Sequence, residues 1–191
     1  MAEEKTAAED WWDDRLAALE SVLGPSDGMV THSGVPSGAG YAAGGPDIVH
    51  FRSHVAGVVH ATCEMIGLDA QIPNRLGNYE LAICHRDEED WGVRLIASLA
   101  HYTFDERLEP GHTMDLGDAA PAGATISALL FLAFARFVVR RRKAGVLLCI
   151  GITAGELAAC RNGGARRVEK ALRAAGVYPF TDLRRPSVIV N

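Results

Sequence analysis

The chain has 191 residues, 48% of them apolar and 23% charged, which suits one soluble domain with a closed core and excludes a disordered or fibrous chain. Its net charge of −5 hides a split: 8 acids and 2 bases in residues 1–30, 13 and 5 in residues 31–135, and 3 and 12 in residues 136–191. No stretch is long and apolar enough for a membrane span, and the basic C-terminal third lacks interleaved stacking aromatics, so neither a membrane nor a nucleic acid is the expected partner.

In chain order, Trp12, Leu16, Leu19 and Leu23 recur on one helical face and predict a helix over 9–23, stopped by Gly24-Pro25. Residues 24–47, with the run GVPSGAGYAAGGPD, read as a flexible spacer. Residues 1–45 are therefore set apart from a domain over 46–191. DIVHFRS (47–53) and AGVVHAT (56–62) predict a hairpin, and NYELAICH (78–85) a strand with Tyr79, Leu81 and Ile83 on one side. Over 87–104 the period changes to that of a helix, with Trp91, Leu95, Leu99 and Tyr102 as its inner stripe, Ile96 beside it, and Asp87 or Asp90 as its cap. GHTMDLGDAAPAG (111–123) reads as a short strand and a proline turn, in which Gly111 is expected to take a positive φ. The apolar run 126–139 fits a helix or strands equally well. VLLCIGI (146–152) predicts a buried strand centred on Val146 to Ile150, followed by helices over 154–162 and 164–175. The inner face of the second is Val168, Ala171, Leu172 and Ala175, and a last short strand is expected at 187–190.

The reversal at 151–156 raises the question of a phosphate loop. No lysine follows Gly151 or Gly155, and the GxGxxG spacing is absent. Thr153 followed three residues later by Glu156 is instead a capping box, in which each side chain takes an amide proton of the helix start.

Several runs together carry a family pattern: VVHATCEMIG, GNYELAICHRDEEDWGVRLIASLAHY, LEPGHTMDLG, GVLLCIGITAGELAAC and GVYPFTDLRRPSVIV. In this order they resemble a suppressor-of-fused-like domain over residues 46–190. Glu64 departs from the family pattern, which has glycine before the methionine. The resemblance implies an α/β (α+β) fold, a mixed β-sheet flanked by helices. It also implies a non-enzymatic protein-binding module. The animal namesake holds a transcription factor by main-chain strand pairing within a two-domain clamp, and this chain has room for one such domain. Compact bacterial members are associated with toxin systems as immunity proteins, so a cognate toxin is the expected partner, with a structural or signalling adaptor as the alternative.

The chemical groups were weighed against that reading. Cys63, Cys84, Cys149 and Cys160 form no CxxC and lie in or beside apolar runs, as buried thiols do in a reducing compartment. The acidic start, MAEEKTAAEDWWDD, is no signal peptide, which predicts a cytoplasmic protein. A hydrolase would need Cys63 or Cys84 to meet one of the histidines 32, 50, 54, 60, 85, 101 or 112 in space. His50 and His60 would meet across the predicted hairpin, yet no histidine spacing is a zinc signature, and no metal or cofactor is expected. Asp87, Glu88, Glu89 and Asp90 sit where a helix start favours negative charge. They are the partner-binding candidates for a basic target such as a nuclease, whereas the basic C-terminal third would suit an acidic one. Trp91 is expected to dock the central helix on the sheet, and Asp182 and Arg184 to form a local pair. A monomer and a homodimer are equally compatible with the sequence.

Overall fold

The computed structural model describes residues 7–32, 45–87 and 90–189. Most of the glycine-rich run, Glu88, Glu89 and the end of the predicted last strand at Val190 lie outside the described residues.

Helix α1 (Ala7–Leu23) leads into strand β1 (Ser26–Thr31), so part of the predicted spacer is instead a strand. It is recruited by antiparallel pairing with β2 (Ile48–Phe51), through Val30 opposite Val49 and Thr31 opposite Ile48, a gain that local composition does not display. β2, β3 (Val58–Thr62) and β4 (Asn78–His85) continue as an antiparallel meander. Helix α2 (Asp90–Asp105) then crosses to β5 (Thr113–Asp115), β6 (Ile126–Val139) and β7 (Arg142–Thr153). β7 enters beside β4 in parallel, which gives one mixed sheet in the order β1-β2-β3-β4-β7-β6-β5. The run 126–139 is thus a single long strand. It buries Leu130 on one face and Phe131 on the other, so neither helical nor alternating patterning was visible.

The two faces carry two cores. Val59, Cys84, Leu148 and Ile150 face α1 and the pair α3 (Ala154–Ala159) and α4 (Ala165–Ala174). Tyr79, Leu81, Ile83 and Phe131 face α2. Between α3 and α4 a wide turn over Cys160–Gly164, with Gly163 at φ +79°, breaks the run of helix. Val168 and Leu172 are the buried residues of α4, while Ala175 lies beyond its end and is exposed.

Two predicted features differ. On α2, Leu99 and Ile96 are buried and Trp91 and Leu95 pack half-buried against the same core, but Tyr102 is 41% exposed, and Gly92, Ala100 and Thr103 are buried as well. A Cβ at Gly92 would fall inside van der Waals distance of His85 Nε2 and 3.0 Å from two carbons of Ile83, so its absence lets the helix seat directly on β4. Trp91 is half-buried against that core, and its Nε1–H donates to Ala119 O at 2.9 Å. Near the C-terminus no strand forms over 187–189. The Val188 amide donates instead to Glu156 Oε1 at 2.8 Å, and the Ile189 amide to Ser187 Oγ at 3.2 Å.

Candidate functional site

The start of α2 stands between two clefts. One, of about 460 Å³, lies over the C-terminal end of β4 and is bordered by His85, Arg86 and Asp87 on one side and Phe180, Asp182 and Arg184 on the other. The chain segment opposite is held there because the Thr181 amide donates to Cys84 O at 2.8 Å. The other cavity, of about 360 Å³, lies between the sheet and α2, with Thr31, His50, Arg52 and His60 below and Asp90 and Arg94 above. The acidic cluster is therefore divided: Asp87 borders the first cleft and Asp90 the second, both exposed, with Glu88 and Glu89 outside the described residues.

A row of buried histidines runs beneath α2. His50 and His60 are direct cross-strand partners, and each carries its ring to the α2 face. Their Nδ1 atoms lie 2.7 Å apart, so one donates and the other accepts. His50 Nε2 is 2.8 Å from Thr31 Oγ1. The rings of His60 and His85 lie 5.7 Å apart. His85 Nδ1–H donates to Thr181 O at 3.1 Å, since a carbonyl only accepts. Burial, then the neighbouring His50, His85 and Arg52, pull the His60 imidazole down to about 3, so it is neutral near pH 7. Among the described residues no group of three His, Cys, Asp or Glu side chains is arranged to hold a metal ion.

The reversal at 151–156 closes on itself. The Thr153 amide donates to Glu156 Oε2 at 2.9 Å, and the Glu156 amide to Thr153 Oγ1 at 3.4 Å. Glu156 also receives Arg185, whose Nη2 lies 2.6 Å from Oε2 and whose Nη1 lies 2.7 Å from Oε1. Burial raises the Glu156 carboxyl, but Arg185 and the amides of Val188 and Thr153 outweigh it and hold the group below the usual carboxylate range. Arg185 is 29 positions away, so no local signal marks it. Glu80 was equally hidden in its strand: fully buried, it accepts from Thr62 Oγ1 at 2.6 Å and from the Met65 and Ile66 amides at 2.9 and 2.8 Å, and so builds the turn after β3. Next to it Glu64 accepts from the Asp47 amide at 3.1 Å. Gly111 has φ +99°, and its amide donates to Phe131 O at 2.7 Å. Asp182 and Arg184 meet through the main chain, the Arg184 amide donating to Asp182 Oδ1 at 2.9 Å.

Cys63, Cys84 and Cys149 are fully buried, and burial pushes all three thiols well above their ordinary value, away from the thiolate a nucleophile needs. β1 contributes Met29 and Thr31 to the second cavity, beside Asp90. It is an edge strand, and Met29 and Val30 on it are 60% and 38% exposed.

These features define a single α+β domain on a mixed seven-stranded sheet, with α2 on one face and the other helices across it. A sequence model of the suppressor of fused protein (SUFU) matches residues 47–186, and the chain belongs to that family. Among solved structures, it is similar to a SUFU homologue from Neisseria gonorrhoeae, at 13% identity and a TM-score of 0.67, covering 96% of this chain and 99% of that one. It is also similar to a chain of the Sufu–Fu complex, at 12% identity and a TM-score of 0.69, covering 95% and 91%. Drosophila Suppressor of Fused matches at 13% identity and a TM-score of 0.52, over 74% of this chain and 39% of its own. Among curated proteins none matches the sequence.

Proposed function

We propose that the protein is a non-enzymatic binding module of the immunity type, which neutralises a partner toxin by taking an extended segment of it onto the outer edge of β1. The observation that carries this reading is that edge. β1 ends the sheet among the described residues, is exposed along Asp27–Thr31, and presents two apolar side chains to solvent. An unpaired edge offers main-chain donors and acceptors to an incoming strand, and flanking pockets select its side chains. Asp90 shares a cavity with Met29 and Thr31, so the acidic start of α2 lies beside the edge and favours a basic partner. Family membership, with a related protein seen in complex with Fu, supports protein binding in general.

The test is co-purification with the product of an adjacent toxin gene, followed by amide exchange on the complex. Slowed exchange is expected at 26–31. Met29→Lys with Val30→Lys, which places edge charges against strand addition, should weaken the complex at least about tenfold. Protection confined to the β5 edge, or full retention by the lysine variant, would overturn the proposed surface.

A further inference from the structure

The cavity beneath the start of α2 has a polar atom with nothing to bind. His60 is 5% exposed, and its Nε2 has no hydrogen-bond partner among the described residues. Buried polar atoms are as a rule paired, so an unpaired one beside a cavity points to a ligand. The proton pattern can be followed along the row. In the tautomer where the Thr31 hydroxyl donates to His50 Nε2, His50 Nδ1–H donates to His60 Nδ1 and the proton of His60 sits on Nε2; this is the tautomer a bound carboxylate would select. With that tautomer the inner end of the cavity is a donor. Arg94 stands at its mouth, exposed and with no ion pair among the described residues, while Arg52 is bonded through Nε to Asp27 at 2.9 Å.

We propose that this cavity is a carboxylate-binding site, in which His60 Nε2–H donates to one carboxylate oxygen and Arg94 supplies the counter-charge. Of the neighbours that bear on His60, the permanent charge of Arg52 disfavours a further proton there and favours an anion, while Asp27 opposes it. Met29 and Val93 line the same space and leave room for a short apolar stem behind the carboxylate. Asp90 also faces the cavity, four residues before Arg94, and works against an anion. A site of this size accepts either a free small acid or the side chain of an aspartate or glutamate, and the proposal does not depend on strand pairing at β1.

The experiment is histidine-ring nitrogen NMR on the full chain, titrated separately with acetate and with N-acetylglutamate N-methylamide. The His60 Nε2 resonance should move saturably, with a Kd in the millimolar range. His60→Phe, which keeps a ring but removes the donor, and Arg94→Gln should each weaken binding about tenfold. Asp90→Asn should tighten it a few-fold, and the two α2 variants lie on an exposed helix start and remain informative if His60→Phe does not fold. A preference for the capped glutamate assigns the site to a protein side chain, and a preference for acetate assigns it to a free acid. His60 resonances unmoved by about 100 mM of either probe, or binding unchanged by Arg94→Gln and Asp90→Asn, would overturn the site. Because no toxin is involved, that failure leaves the β1 reading to be judged by its own test.

Discussion

At the scale of single residues, Glu156 shows how one side chain serves two levels of structure. As a cap it satisfies an amide of its own helix start, and as the counter-charge of Arg185 it fastens the C-terminal segment. Both partners are buried, Arg185 at 4% and Glu156 at 0% side-chain exposure. Breaking such a pair from one side leaves a charge without compensation. Glu156→Gln is therefore expected to cost about 3–5 kcal/mol in urea unfolding although the amide can still cap. Arg185→Met added to it should recover part of that loss, because an apolar side chain of similar length needs no counter-charge. The Thr153–Glu156 spacing was legible because a capping box is local. Arg185 was not, because nothing in a sequence ties it to a carboxylate 29 positions earlier.

At the scale of elements, α2 turns on Gly92. Replacing a helical glycine by alanine ordinarily helps, by about 1 kcal/mol. Here the new methyl meets His85 Nε2 and Ile83, on a strand that has no room to retreat. Gly92→Ala should therefore destabilise by about 1–3 kcal/mol, read as a lower denaturant midpoint with unchanged m. Gly111→Ala differs in kind. Its surroundings are open, with only Arg75 Nη2 at 3.9 Å, and any cost comes from φ +99° alone. Element types were mostly readable from period, since α2 and β4 repeat at 3.6 and 2. The face of α2 was readable through Trp91, Leu95, Ile96 and Leu99, but not at Tyr102, which is exposed, nor at Gly92, whose close approach carries no hydrophobic signal. β1 was missed because an exposed edge strand carries no buried pattern of its own.

At the scale of the whole molecule, the histidine row links stability to pH. His60 is neutral when folded, near 3, and an unfolded histidine titrates at 6.5. The unfolded state thus binds the extra proton first, and stability is lost as pH falls from about 6.5 toward 3. The slope is about 1.4 kcal/mol per pH unit. Glu156 acts in the same sense lower down: its depressed carboxyl stabilises above the ordinary value of 4.5 and ceases to as pH falls below it. Glu80, raised by burial, runs the other way. The difference between the parent and His60→Phe reports on the histidine, and urea unfolding should show the parent losing about 1.5 kcal/mol more than the variant between about pH 6.5 and about pH 5. Composition, period and cap spacing by themselves determined most helices and strands, the buried strand at 146–152, the buried thiols and the helix start at 153–156, because each follows from neighbours in sequence; the α+β class came from the family resemblance. Only the tertiary structure decided that β7 lies parallel to β4, that three histidines from three strands line up beneath α2, and that the acidic turn is divided between two clefts. These depend on strand order and face, which arise when distant segments share one sheet and bury its two sides.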